Sequence, residues 1–238
     1  MNDIKQDEIG FIFIHGAGLR SSIWQPVVEK FKYPYLLIEF PFHDADIPKR
    51  SKLSLEHYIH CVKSQFNKWD IKRVVIVAHS IGGIFAQILA KDFPDRVCGI
   101  AAVGAVIPRI GGSFVSSLPF PNRYLMPIIL RMAGTRPPES AIRRGLCNDL
   151  TKEQADDVIR GFIPEAIGIF TDKLRVEGLP DVPKLYVKLE NDHELSTSIQ
   201  DKMINNFQPH RVETLNTGHL PMISNPDGLR SIIEGFIL

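Results

Sequence analysis

The sequence predicts an α/β fold: a mostly parallel sheet of about six strands, flanked by helices, with a helical segment inserted ahead of the fifth strand. Three observations carry this reading. Short apolar runs recur along the chain, amphipathic stretches fall between them, and one long segment in the second half holds helix-like pieces but no strand-like run.

The strand candidates are Phe11–His15, Tyr35–Phe40, Arg73–Ala78, Val97–Val103, Lys184–Leu189 and Arg211–Leu215. Most are nearly continuous hydrophobics, the pattern of strands buried on both faces of a parallel sheet. Helices are expected over Ser22–Phe31, Ser54–Trp69, Gly82–Lys91, Ser196–Asn206 and Pro226–Phe236, with Ser54 placed to cap the second. Repeating β-then-α units imply right-handed crossovers. The rhythm stops between Pro108 and Pro183. About 75 residues are too many for an unstructured loop in a compact domain. The pieces Arg123–Met132, Glu139–Leu146, Thr151–Arg160 and Pro164–Leu174 read as helices punctuated by prolines. We expect core residues 1–107, a helical cap insertion over 108–183, and core residues 184–238.

Composition excludes several classes. A hydrophobic share of 44% beside 23% charged residues is an ordinary soluble globular mix. The net charge is +1 and the basic residues are dispersed, so no nucleic-acid-binding face is expected. The opening MNDIKQDEIG is polar, and the longest apolar run, Val97–Ile107, falls short of the ~20 residues a membrane span needs. Cys61, Cys98 and Cys147 contain no C-x-x-C pair and read as reduced thiols. A cytoplasmic protein without stable membrane insertion is the expectation.

The strongest chemical signal is RVVIVAHSIGGIFAQILA. A buried strand runs into His79-Ser80-Ile81-Gly82-Gly83, and a helix follows at once. This is the strand-turn-helix setting of a nucleophile elbow, G-x-S-x-G. The turn is sharp, so the residues two before and two after the serine must be small. Ala78 and Gly82 meet that need, although Ala78 replaces the usual first glycine. Such a turn lifts the Ser80 hydroxyl clear of the sheet and aims amide N–H groups at the reacting oxygen. The first strand ends beside it in His15-Gly16-Ala17-Gly18. We assign an oxyanion hole to the amides of Ala17 and Ile81, and a structural role to His15.

A serine hydroxyl needs a base. Parallel strands put their C-terminal ends on one sheet edge, and His219, in the loop after the last strand, reaches that edge. His57 and His60 lie mid-helix, His79 is turned away by the elbow, and His210 stands at the opposite end of the sheet. The acid that orients the base is expected after the penultimate strand, in Glu190-Asn191-Asp192-His193-Glu194. All three carboxylates are candidates; Asp192 is favoured, with Glu190 second. The order Ser80, Asp192, His219 is the serine, acid, histidine order of one hydrolase architecture.

With these residues in place, the whole chain resembles the α/β-hydrolase superfamily. Within it, the chain is similar to the small plant methylesterase and hydroxynitrile lyase branch and its bacterial relatives, which also open on the strand before the HG loop, here FIFIHGAG. The resemblance implies the α/β-hydrolase fold with a short helical cap. In that branch the aspartate stands three residues before Ile or Leu, a spacing that Asp192 and Leu195 match. Two departures stand out. The usual glycines of a D-x-P-G-H-G loop are replaced by Phe42 and Asp44. The lyases tend to carry Thr in place of the HG glycine and Lys after the catalytic histidine; this chain has Gly16 and Leu220, which favours hydrolysis.

The insertion is rich in large apolar residues, and a cap over a sheet edge encloses an apolar site. Phe114, Tyr124, Phe162 and Leu220 are the candidate pocket residues, with a hydrophobic acyl or aryl group expected near Ser80. The expected function is a serine hydrolase that cleaves a small hydrophobic carboxylic ester through an acyl-enzyme. The alternatives are a thioesterase or lactonase of the same fold, or a non-catalytic binding protein that retains it. No metal or cofactor is expected, since neither metal-ligand spacing nor a phosphate loop is present.

Overall fold

Val, Ile and Phe dominate the strand segments because branched and aromatic side chains pack well on a pleated surface. The computed structural model describes residues 9–41, 51–176 and 178–236. The loop departures at Phe42 and Asp44 lie outside the described residues. Six strands form: β1 (Ile9–Ile14), β2 (Tyr35–Ile38), β3 (Arg73–His79), β4 (Val97–Val103), β5 (Lys184–Leu189) and β6 (Arg211–Leu215). Their order is β2-β1-β3-β4-β5-β6, and every neighbouring pair is parallel. The last three ranges agree with the sequence reading. The first three differ by a residue or two at their ends.

Alternate strand residues serve opposite faces. Phe11, Phe13, Val75, Val77, Ala101 and Val103 pack with Trp24, Val27, Leu229 and Ile233. Their neighbours Ile12, Ile14, Ile76, Ala78, Ile100 and Ala102 pack with Tyr58, Phe85 and Met203. Both faces are buried, which is why the strands read as unbroken apolar runs.

Helix α1 is short (Gln25–Val28), preceded by a 3-10 turn at Ser21–Trp24, where a longer helix was expected. Helix α2 spans Leu55–Lys68. His57, expected mid-helix, instead closes its N-terminus: Nδ1 accepts from Ser54 N at 3.2 Å and meets Ser54 Oγ at 2.8 Å. Helix α3 (Gly82–Asp92) begins directly after the serine turn and ends before Pro94.

Between β4 and β5 lies the inserted helical cap. It contains α4 (Phe114–Ser117), α5 (Asn122–Ala133), α6 (Glu139–Arg144), α7 (Lys152–Gly161) and α8 (Gly168–Thr171). The helix expected over Pro164–Leu174 shrinks to the single turn α8. There Gly168 lies against the backbone of Ser54 and Leu55, and Asp172 Oδ2 accepts from Leu55 N at 3.0 Å, so contacts with α2 replace helical continuation. Leu19 and Leu220 of the core join Ile142, Leu146, Val158 and Phe162 in an apolar cluster that seats the cap. The chain closes with α9 (Thr197–Phe207), α10 (Pro221–Ser224) and α11 (Pro226–Glu234). Cys61, Cys98 and Cys147 are all free thiols. Among the described residues no helix is long and apolar enough to cross a membrane.

Two glycines on helices should respond in opposite senses to alanine. A Cβ on Gly83 would lie 2.5 Å from Val106 O, a backbone atom that cannot yield cheaply. Gly83→Ala should cost about 1–3 kcal/mol by overpacking. A Cβ on Gly161 meets nothing within 4 Å, so Gly161→Ala should gain about 0.5–1 kcal/mol by restricting the unfolded chain. Urea midpoints of the two variants would check the contrast; equal shifts would contradict it.

Candidate active site

The C-terminal ends of the parallel strands deliver loops to one edge of the sheet, and the predicted residues stand in those loops. Ser80 follows β3 with φ 51°, a left-handed backbone that a serine rarely adopts. The conformation is held from several sides. Ser80 N donates to Val103 O at 3.2 Å, while Ser80 O accepts from Val106 N at 2.8 Å and from Gly83 N at 3.1 Å. Gly82 lies against the carbonyls of Ile14 and His15, where a Cβ would come within 2.9–3.0 Å. The methyl of Ala78 is fully buried, so the usual first glycine is not required here.

His219 follows β6 and Asp192 follows β5. His219 Nδ1 and Asp192 Oδ2 are 2.7 Å apart. The other oxygen, Oδ1, accepts from Glu194 N and Leu195 N, each at 2.8 Å. The Asp-x-x-Leu spacing thus has a physical basis: the loop folds back on the aspartate's own carboxylate while Leu195 is buried. Of the three candidate carboxylates, Asp192 is the one bonded to His219. The two loops are joined by Glu190 N to Leu215 O and Asn191 N to Thr217 O, both 3.0 Å. Gly218 makes room for Asn148 and Asp149 of the cap, and its N–H donates to the Asp149 carboxylate.

The other histidines separate cleanly. His79 is buried beneath the site, its Nε2 donating to His219 O at 2.8 Å with ring centres 4.7 Å apart. Burial and the neighbouring His219 ring hold its pKa well below the usual histidine value, so it stays neutral and props the loop. Sequence reasoning turned His79 away from Ser80 but missed this support. His15 is buried, with Nδ1 2.8 Å from Gly16 O and Nε2 3.1 Å from Glu39 Oε1, a structural setting. His210 accepts from Lys184 N, at the opposite end of the sheet.

Burial is the largest single influence on His219 and lowers its pKa. Asp192, followed by Glu194 and Asp149, outweighs it, and the pKa is raised above the usual histidine value. These carboxylates favour the imidazolium.

Ala17, Ser80, Ile81 and His219 line one cavity of about 350 Å³, closed above by the cap. Phe114 and Phe162 line it as expected, but Tyr124 and Leu220 do not. Tyr124 is 60% exposed and lies outside the wall, to which α5 contributes Met126, Ile129, Leu130 and Ala133. Leu220 is fully buried in the cluster that seats the cap.

A parallel sheet that brings a strained serine and a buried histidine–aspartate pair to one edge, under a helical cap, defines the architecture of an α/β hydrolase. The chain matches the alpha/beta hydrolase family over residues 11–232 and belongs to it; it is a hydrolase. It is related to plant methylesterases and bacterial pyrethroid hydrolases. It is 23% identical to methylesterase 17 of Arabidopsis thaliana, over 91% of this chain and 87% of that one. It is 27% identical to a pyrethroid hydrolase of Sphingobium wenxiniae, over 94% and 86%. An extracellular alpha/beta-hydrolase from a Paenibacillus species shares the fold with a TM-score of 0.85 at 19% identity, covering 95% of this chain and 98% of that one.

The cap and the first loop meet at Gly18 (φ 81°), whose carbonyl accepts from Ile163 N at 3.0 Å while the Phe162 ring covers its Cα. A Cβ there would strike that ring. Gly18→Ala should cost about 1–3 kcal/mol, and part of the loss should return when Phe162→Ala is added. A double-mutant cycle in urea checks this; additive losses would mean the two residues do not press on each other.

Proposed function

We propose that this hydrolase cleaves a small hydrophobic carboxylic ester, with Ser80 as nucleophile, His219 as general base and Asp192 as the orienting acid. The observation that carries the reading is the 2.7 Å His219–Asp192 contact at the edge of a cavity lined by both Ser80 and His219. The relationship to proteins named methylesterase and pyrethroid hydrolase supports an ester as substrate.

The chemistry follows from the parts. Asp192 holds the His219 Nδ1–H, leaving Nε2 free to take a proton. Ser80 Oγ attacks the ester carbonyl as its proton passes to Nε2. Negative charge gathers on the former carbonyl oxygen, and the Ala17 and Ile81 amides are proposed to donate to it. Among the described residues neither amide N–H has another hydrogen-bond acceptor, so both can turn to the substrate. His219 then returns the proton to the leaving alkoxide, giving the alcohol and an acyl-Ser80. Water, deprotonated by His219, attacks the acyl carbon; the bond from that carbon to Ser80 Oγ breaks, the acid leaves, and His219 returns the proton to Ser80 Oγ. The apolar walls, Phe114 and Phe162 among them, favour a hydrophobic acyl or aryl group. Thioesters and lactones would follow the same steps. Gly16 and Leu220, where the related lyases tend to carry Thr and Lys, favour hydrolysis over cyanohydrin cleavage.

Ser80→Ala should abolish hydrolysis of p-nitrophenyl and naphthyl esters and labelling by a fluorophosphonate probe, with the fold retained. Removing a triad nucleophile costs several powers of ten in rate. Activity within tenfold of the parent would remove Ser80 from the mechanism.

The pH profile tests His219 and Asp192 together. A base works only when neutral, so the rate must rise with pH through the His219 pKa. That pKa lies above the unperturbed value of about 6.5, so the midpoint of the acid limb should too. Asp192→Asn removes the group that most raises it; the limb should move to lower pH while kcat falls by about 10³–10⁴. Glu190→Gln should not do this. A profile unmoved by Asp192→Asn would refute the assignment.

A further inference from the structure

We infer that the substrate cavity contains a polar subsite at Glu194, one that takes a hydrogen-bond-donating or cationic group on the ligand and disfavours a carboxylate. The inference rests on the Ser80–His219 reading above and goes beyond it to the charge of what the cavity accepts.

The wall is mostly apolar, and Glu194 interrupts it beside His219. Gly145, just after α6, leaves the space its carboxylate occupies; a Cβ at that position would collide with Oε2. The backbone N–H of Glu194 is fixed on Asp192 Oδ1 at 2.8 Å, so the residue is anchored where the loop folds back. Among the described residues the carboxylate itself has no hydrogen-bond or ion-pair partner. Although the residue as a whole is solvent-exposed, it lines the cavity, so its carboxylate can reach an entering ligand and accept a charge-assisted hydrogen bond from it.

The other polar wall groups are already engaged. Thr135 Oγ1 donates to Glu165 O at 2.5 Å. Arg136, a cation on the same wall, donates to Phe162 O at 2.8 Å and Ile159 O at 2.9 Å, and its guanidinium lies 5.6 Å from the Phe162 ring centre. Its terminal nitrogens are tied to the end of α7. At the His219 end, by contrast, Asp192, Glu194 and Asp149 gather around one imidazole. A neutral ester enters such a field freely. The acid released by hydrolysis is an anion and is repelled from it, so the same carboxylate that selects the substrate also hastens product departure.

The test uses three boronic acids of one shape: phenylboronic, 3-(aminomethyl)phenylboronic and 3-carboxyphenylboronic acid. In each, the Ser80 oxygen bonds to boron as its proton passes to His219, so inhibition of naphthyl acetate hydrolysis reports binding in this cavity. Inhibition constants are measured for the parent and Glu194→Gln at about pH 8, well above the carboxylate range. The parent should bind the aminomethyl compound at least about tenfold more tightly than the carboxy compound, and Glu194→Gln should erase most of that ratio. Thermal melting of both proteins establishes that the variant is folded. If it is not, the parent's ratio decides alone. A ratio near one in the parent, or the same ratio in both folded proteins, overturns the subsite while leaving the esterase reading intact. Failure of the neutral boronate to inhibit and of fluorophosphonate to label would overturn the Ser80 reading, and the subsite with it.

Discussion

The rest of this site depends on how closely four backbone segments approach one another around Ser80. A left-handed φ is uphill for a residue with a side chain, so it persists only where the surroundings hold it. Here β1, β4 and the first turn of α3 do so. The carbonyls of Ile14 and His15 press on Gly82, Val106 O presses on Gly83, and Val103 and Val106 bond the serine's own N–H and C=O. The same pressure brings the HG loop beside the serine, placing Gly16 against the Ser80 side chain and the His79 ring. The strain at the serine and the narrowness of its surroundings are one fact. Remove the close contacts and the turn has no reason to stay where the cavity needs it.

A second constraint is electrostatic. His219 and Asp192 are almost wholly buried, at 1% and 4% exposure, and a buried charge is costly unless its partners compensate. Asp192 is compensated by two backbone N–H groups and an imidazole. The histidine beneath it, its ring tilted 54° to that of His219, contributes by remaining neutral. His79 bonds the His219 carbonyl, and its low pKa keeps a second positive charge away from the His219 ring.

How much of this could be read from the sequence follows the range of the interactions. The parallel sheet was legible because burial on both faces leaves a mark in each strand separately. The serine turn was legible because its steric demand falls on neighbours in the chain, Ala78, Gly82 and Gly83. Asp192 stood out from Glu190 and Glu194 only through its spacing from Leu195. The hydrogen bonds from Glu194 N and Leu195 N give that spacing its cause. What escaped the sequence reading was contact across elements. The support of His219 by His79 joins residues 140 apart. The shortening of the Pro164–Leu174 helix depends on α2, more than a hundred residues away, through Asp172 and Leu55.

The cap shows the limit from the other side. Helix α5 is apolar around much of its circumference: Tyr124, Leu125, Ile128 and Met132 are exposed, and of the residues that line the cavity, Met126, Ile129, Leu130 and Ala133, Ile129 is 51% exposed as well. Counting apolar residues could not tell the two faces apart, so Tyr124 was assigned to the pocket. Leu220 failed for the opposite reason: it stands next to His219 in sequence, yet its backbone turns it into the cluster under the cap. The core therefore supplies Ser80, Asp192 and His219, and the cap supplies most of the cavity wall. Glu194 belongs to the core by sequence and to the cavity wall by position. One loop after β5 thus carries two carboxylates in different settings: Asp192 buried against the imidazole, and Glu194 exposed on the cavity wall.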